Sequence, residues 1–183
     1  MKNQNSDSQR VINAVFNYVP TRYKADDAEW AIRKFIWSFK DGSEEVCAKA
    51  VGVVVEAITA NYGDVNNVVF ACIPASSQEK TDKRYKKFTE EVCNATGMVN
   101  AYDKIKVEGN RLAIHEFKSK KRVRNTSVIK LTKKFFAGKE VIVFDDIITR
   151  GRSFNAFADA IEGMGATIKG GLFLAQTINP TNK

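Results

Sequence analysis

Apolar positions recur along the chain with two distinct periods. Ile32, Phe35, Ile36 and Phe39 fall at i, i+3, i+4 and i+7, which predicts an amphipathic helix closed by Asp41-Gly42. Ser43 followed by Glu44 and Glu45 predicts the start of a second helix. Serine accepts from the free N–H groups of a first turn, and acids favour its positive end. The apolar face of that helix is Val46, Ala50, Val53, Val54 and Ala57, and Gly63-Asp64 breaks it. Val68 to Ile73 is a short continuous apolar run, the pattern of a strand buried on both faces, and Pro74-Ala75-Ser76-Ser77 reads as the loop after it. A third helix is predicted from about Thr81, with Tyr85, Phe88 and Val92 on one face and a stop at Gly97. Met98 to Val107 reads as a further strand. Val141-Ile142-Val143-Phe144 is the second strongly apolar run. Phe154, Phe157, Ala158 and Ile161 then predict a helix ending near Gly163 to Gly165, and Ala166 to Thr177 a last strand.

Helices alternating with buried strands predict an α/β fold, a central mostly parallel sheet flanked by helices. Residues 1–10 read as a disordered tail without the apolar centre of a secretory signal. Residues 11–65 read as a small N-terminal helical region packed on the core, and 66–178 as the core domain. With 183 residues, 44% of them hydrophobic and 27% charged, the chain has the apolar content for one sizeable core. No apolar run approaches the roughly 20 residues that span a bilayer, so no membrane partner is expected. Cys47, Cys72 and Cys93 are widely spaced, odd in number and form no CxxC pair. This argues against a disulfide framework or zinc site and for small buried thiols in a reducing cytoplasm. The net charge of +8 favours anionic partners without choosing among nucleic acid, anionic lipid and a polyphosphate substrate.

The segment Val141 to Ser153 narrows that choice. A buried strand runs into two adjacent carboxylates, Asp145 and Asp146. A short turn with Thr149, Gly151 and Ser153 follows, and then a helix begins. Free N–H groups and the positive dipole end of a helix N-terminus bind phosphate. Gly151 lets the backbone approach the anion, and Thr149 and Ser153 add hydroxyl donors. Two acids beside a phosphate site need a reason, and sugar hydroxyls or a hydrated Mg²⁺ supply one. Phosphate at one end and a diol at the other describes a ribose 5-phosphate cradle. A generic capped turn with a solvated acid pair is the competing reading. The Walker A loop and the G-x-G-x-x-G fingerprint are both absent.

This segment resembles the signature of type I phosphoribosyltransferases that binds 5-phosphoribosyl 1-pyrophosphate (PRPP). The looser resemblance over about residues 25 to 177 is to the ComF-like branch, and it includes the Phe39-Lys40-Asp41-Gly42 turn and the stretch from Arg84 to Phe88. The resemblance implies the type I phosphoribosyltransferase fold, with residues 11–65 as its hood. It implies that Asp145, Asp146 and Thr149 are catalytic, and that both acids meet Mg²⁺ through water and the ribose hydroxyls. Ile147, Ile148, Thr149, Arg150, Gly151, Arg152 and Ser153 would hold the 5-phosphate. Ala75, Ser76, Ser77 and Arg84 would bind pyrophosphate, although Ser77 also suits a helix cap and Arg84 an exposed helix face. Arg150 and Arg152 also read as plain solvated side chains.

The implied activity is transfer of a 5-phosphoribosyl group from PRPP to a small nitrogen acceptor, with Mg²⁺ and release of pyrophosphate. In the 6-oxopurine salvage enzymes an Asp follows the acid pair at the position of Thr149. A neutral hydroxyl is a poor general base, so hypoxanthine and guanine are disfavoured and the acceptor is left unassigned. The stretch from Phe117 to Lys139 is dense in Lys and Arg and has no acid. Its first half reads as a mobile loop. Lys118, Lys120, Lys121 and Arg122, with Arg124, suit a cationic lid over departing pyrophosphate, an electrostatic footprint for nucleic acid, or a solvated loop. The alternative to an enzyme is a non-catalytic ComF-like protein that binds nucleotide or single-stranded nucleic acid. The resemblance also admits a homodimer.

Overall fold

A computed structural model describes residues 10–108 and 128–179. The elements follow one another as β1 (Ile12–Tyr18), α1 (Asp27–Lys40), α2 (Glu44–Tyr62), β2 (Val69–Cys72), α3 (Gln78–Thr96), β3 (Val99–Asn100), β4 (Ile105–Glu108), β5 (Val128–Leu131), α4 (Lys133–Phe136), β6 (Glu140–Ile148), α5 (Arg152–Glu162) and β7 (Thr167–Thr177). Five strands form one sheet in the order β1-β7-β6-β2-β3, and every neighbouring pair is parallel. β4 and β5 form a separate antiparallel pair. The fold class is therefore the expected one, a mostly parallel sheet flanked by helices.

A core lies on each face of this sheet. On one face α1, α2 and α3 bury Ile36, Phe39, Val54, Ile58, Tyr85 and Phe88 against Phe70, Phe144, Leu172 and Leu174. On the other, α5 and α4 bury Phe154, Phe157, Ile161 and Phe136 against Val69, Val141, Val143 and Phe173. Burial on both faces explains why β2 and the first half of β6 read as unbroken apolar runs.

Several expectations change. β1 was not anticipated within the stretch read as helical. It is an edge strand whose Asn13 and Asn17 interrupt the apolar pattern, and it is held by pairing with β7 from the far end of the chain. α3 starts at Gln78 rather than near Thr81, because the Ser77 side chain accepts from Lys80 N–H at 3.2 Å and caps it. Met98 to Val107 is not one strand. The Asn100 side chain accepts from Tyr102 N–H at 2.8 Å, and a 3₁₀ turn over Tyr102–Lys104 separates β3 from β4. β6 does not stop at Phe144. It continues through both acids to Ile148, because β7 pairs alongside as far as Gln176.

The connections place the site. β2 leads through α3 to β3 on one side, and β6 leads through α5 to β7 on the other. β2 and β6 are neighbours, and the helices that follow them lie on opposite faces. That is a topological switch point, where the carboxyl ends of parallel strands leave a crevice.

Candidate functional site

The crevice opens where β2 and β6 end. Its largest part is a cleft of about 590 Å³, whose lining includes Ala75, Ser76, Arg84, Asp145, Asp146 and Ser153. Ile129 and Leu131 of β5 and Phe157 of α5 supply apolar walls. A second hollow, about 260 Å³, lies against the start of α5 and is lined continuously by Ile147 to Phe154, with Asp145 and Phe173. A third, about 380 Å³, is lined by Tyr18, Pro20, Arg22, Lys40, Asp146, Ile147, Thr149 and Thr177.

The start of α5 is a helix N-terminus without a side-chain cap. Gly151 occupies the N-cap with φ 68°, a left-handed conformation that costs a residue with a Cβ. No side chain caps the helix, so its first N–H groups are not taken up by a capping oxygen. Thr149, Arg150, Arg152 and Ser153 are exposed around it, and the Thr149 hydroxyl lies 2.8 Å from that of Thr177.

The two acids have different surroundings. Asp146 is buried between two cations: Arg84 Nη1 lies 2.6 Å from its Oδ2 and Lys40 Nζ 3.2 Å from its Oδ1. Asp145 Oδ1 accepts from the Tyr85 hydroxyl at 3.1 Å and from the Asp146 backbone N–H at 2.8 Å. Burial, then the neighbouring charge of Asp146, pushes the Asp145 carboxyl up to about 7. Consecutive residues of α3 thus hold consecutive residues of β6. Tyr85 can do so because its fully buried ring is wedged among Phe39, Phe88 and Phe144, with centroids 6.1 to 6.4 Å away. Burial also raises its own phenol well above the ordinary range, so it stays a donor.

Most residues singled out in the sequence converge here. Asp145, Asp146, Ala75, Ser76, Arg84, Arg152 and Ser153 meet in the large cleft. Ile147 to Ser153 surround the hollow at α5. The Ser77 hydroxyl oxygen is engaged as the α3 cap, and the Arg84 guanidinium is engaged with Asp146. Arg84 Nε is buried and has no hydrogen-bond partner among the described residues. Lys118, Lys120, Lys121 and Arg122 lie outside the described residues, as do Arg124 and His115.

Sequence reasoning missed Lys40, which it noted only as part of a turn, and the Tyr85 hydroxyl, which it took as core. It also missed Arg33, a buried arginine of α1. Arg33 donates to the Val19, Pro20 and Tyr23 carbonyls at 2.8, 2.8 and 2.9 Å and so fixes the segment between β1 and α1. An Arg amid an apolar helix face was the available signal, because a buried charge demands partners.

Among the described residues no group of three or more His, Cys, Asp or Glu side chains is arranged to hold a metal ion. Asp145 is the acid of the pair that is not ion-paired among the described residues, and it suits Mg²⁺, which keeps several waters and binds through one or two carboxylates together with substrate phosphates. No helix of the described residues is long and apolar enough to cross a membrane. The three cysteines are free and buried.

No protein-family model matches the chain. No curated protein matches it in sequence. Among solved structures it is similar to an adenine phosphoribosyltransferase at 16% identity, covering 72% of this chain and 70% of that one with a TM-score of 0.46. The adenine phosphoribosyltransferase of Saccharomyces cerevisiae, solved with adenine and an imino-altritol bisphosphate, is 16% identical over 73% of this chain and 71% of its own, with a TM-score of 0.47. A phosphoribosyltransferase of Corynebacterium diphtheriae is 13% identical over 79% of this chain and 95% of its own, with a TM-score of 0.41.

Proposed function

We propose that the protein is a PRPP-binding phosphoribosyltransferase that moves a 5-phosphoribosyl group to a nitrogen acceptor. The observation that carries this reading is that Asp145, Arg152 and Ser153 line both the hollow at the start of α5 and the large cleft. A bisphosphorylated sugar spans the two. Its 5-phosphate rests on the free N–H groups of α5, its diol faces Asp145 and Asp146, and its pyrophosphate reaches Ala75, Ser76 and Arg84. The thirteen-residue resemblance from Val141 to Ser153 supports the same assignment.

The reaction is a displacement at C1. The nitrogen lone pair forms the new bond, and the C1–O bond breaks with its electron pair on pyrophosphate. A proton carried by the nitrogen passes to water. The protein's part is alignment and fixed charge rather than covalent work. Asp146 holds Arg84 and Lys40 against the reacting end. Tyr85 and the Asp146 N–H orient Asp145 toward the sugar hydroxyls. Asp145, with Asp146 beside it, would hold Mg²⁺, and the ion would supply neutralising charge for the leaving group.

Titration calorimetry with PRPP and Mg²⁺ tests the assignment. Saturable binding is expected, abolished in the double variant Asp145→Asn/Asp146→Asn. No heat at millimolar PRPP, with the protein folded by circular dichroism, would sink it.

A further inference from the structure

Three hollows meet at the acid pair, and the proposed function uses two. The third shares Ile147 and Thr149 with the phosphate hollow and Lys40 and Asp146 with the large cleft. Asp146 and Lys40 therefore form the wall between this hollow and the one assigned to pyrophosphate. A nucleophile must approach C1 from the side away from the leaving group, and the third hollow is the space on the far side of that wall.

The chemistry of its walls is selective. Tyr18, Pro20 and Ile147 present flat or apolar surface. Thr149 and Thr177 are hydrogen-bonded to each other, so the pair offers one neutral hydroxyl donor and reads no charge. Asp146 is the one acid in this wall, and Arg84 and Lys40 already neutralise it. Arg22 is thus left as a positive charge in excess. It lies with its guanidinium carbon 4.9 Å from the Tyr23 ring centroid, and among the described residues its hydrogen-bond partner is Asn179 Oδ1 at 3.4 Å, a long bond to a neutral group. The segment that carries it is not loose. Arg33 ties Val19, Pro20 and Tyr23 from beneath through three short hydrogen bonds.

Resting on the PRPP reading, we infer that this hollow receives the acceptor, and that the acceptor is a flat heteroaromatic ring bearing a carboxylate, recognised by Arg22. A planar guanidinium matches a carboxylate in a two-pronged pair, whereas a neutral base leaves Arg22 without an anionic partner. The bond changes are those given above, with the ring nitrogen as nucleophile: a ring N–H gives up its proton to water, whereas a pyridine-type nitrogen has none to lose and becomes a cationic ring nitrogen.

The test measures pyrophosphate release from PRPP and Mg²⁺ with orotate and nicotinate as carboxylated rings and with adenine, hypoxanthine and uracil as neutral ones. Release is expected with a carboxylated ring. Arg22→Gln should raise its KM about tenfold to a hundredfold, the loss of a charged hydrogen-bonded pair, and leave PRPP affinity unchanged. Arg22→Lys should recover part of the loss. Arg22 is exposed and the segment is held by Arg33, so both variants should fold. Preference for a neutral base overturns the inference, as does a PRPP affinity that falls with Arg22→Gln, or release with no carboxylated ring although PRPP binds. If PRPP itself fails to bind, the fault lies in the sugar cradle. Calorimetry of orotate and nicotinate without PRPP then decides the hollow: binding lost in Arg22→Gln supports it, and no binding ends it.

Discussion

Asp145 shows how one residue records its surroundings. Its carboxyl is pushed up to about 7 by burial and by the charge of Asp146, against an ordinary value near ~4 in an unfolded chain. Between those values the unfolded chain gives up this proton and the folded chain keeps it. The folded state then binds more protons, so stability falls as pH rises through the window and levels off above about 7. The slope from this group is at most about 1.4 kcal/mol per pH unit. Asp145→Asn removes the ionisation and with it the slope. Urea unfolding of the apoprotein should show the variant gaining on the parent from pH ~4 to pH ~8. Parallel profiles would mean that Asp145 is an ordinary solvated acid. The Tyr85 hydroxyl and the Asp146 N–H act in the opposite sense, favouring the charged form, and keep the shift from being larger.

At the scale of elements, what the sequence disclosed follows burial. β2 and the first half of β6 are covered on both faces and were legible as apolar runs. α1 and α2 were legible from periodicity, with Ser43 marking one boundary. The acid pair and its turn stood out because two adjacent carboxylates between an apolar run and a Gly-containing turn are unusual. β1 was not legible, since an edge strand with Asn at two positions is specified by its neighbour rather than by its own pattern. Lys40 and Tyr85 reach the acid pair through tertiary contacts that spacing does not encode. The turn between β6 and α5 is a local device and gives a local prediction. Gly151 sits at φ 68°, and a Cβ there would meet nothing nearer than 3.7 Å. Gly151→Ala therefore meets backbone strain without a clash. It should cost about 1 to 2 kcal/mol in urea unfolding and weaken phosphate binding by reshaping the first turn of α5. A variant as stable as the parent would show that the left-handed cap is not required.

At the scale of the whole molecule, the sheet order turns separate local devices into one site. α3 and α5 leave β2 and β6 on opposite faces, so Ala75 and Ser76 and the start of α5 line one cleft with the acid pair. A ligand that bridges both should lock the two halves of the sheet together, whereas a fragment fills only one hollow. Binding to the folded state at a hundred times Kd adds about 2.7 kcal/mol, which for a chain of this size raises Tm by roughly 5 to 11 °C. Differential scanning fluorimetry with Mg²⁺ should give PRPP a shift in that range. Ribose 5-phosphate and inorganic pyrophosphate at the same concentration should each give a smaller one. Added salt should reduce all three shifts, because each ligand would be held by cations and helix N–H groups. If either fragment alone reproduced the full shift of PRPP, the second hollow would contribute nothing, and the bridging arrangement at the switch point would be wrong.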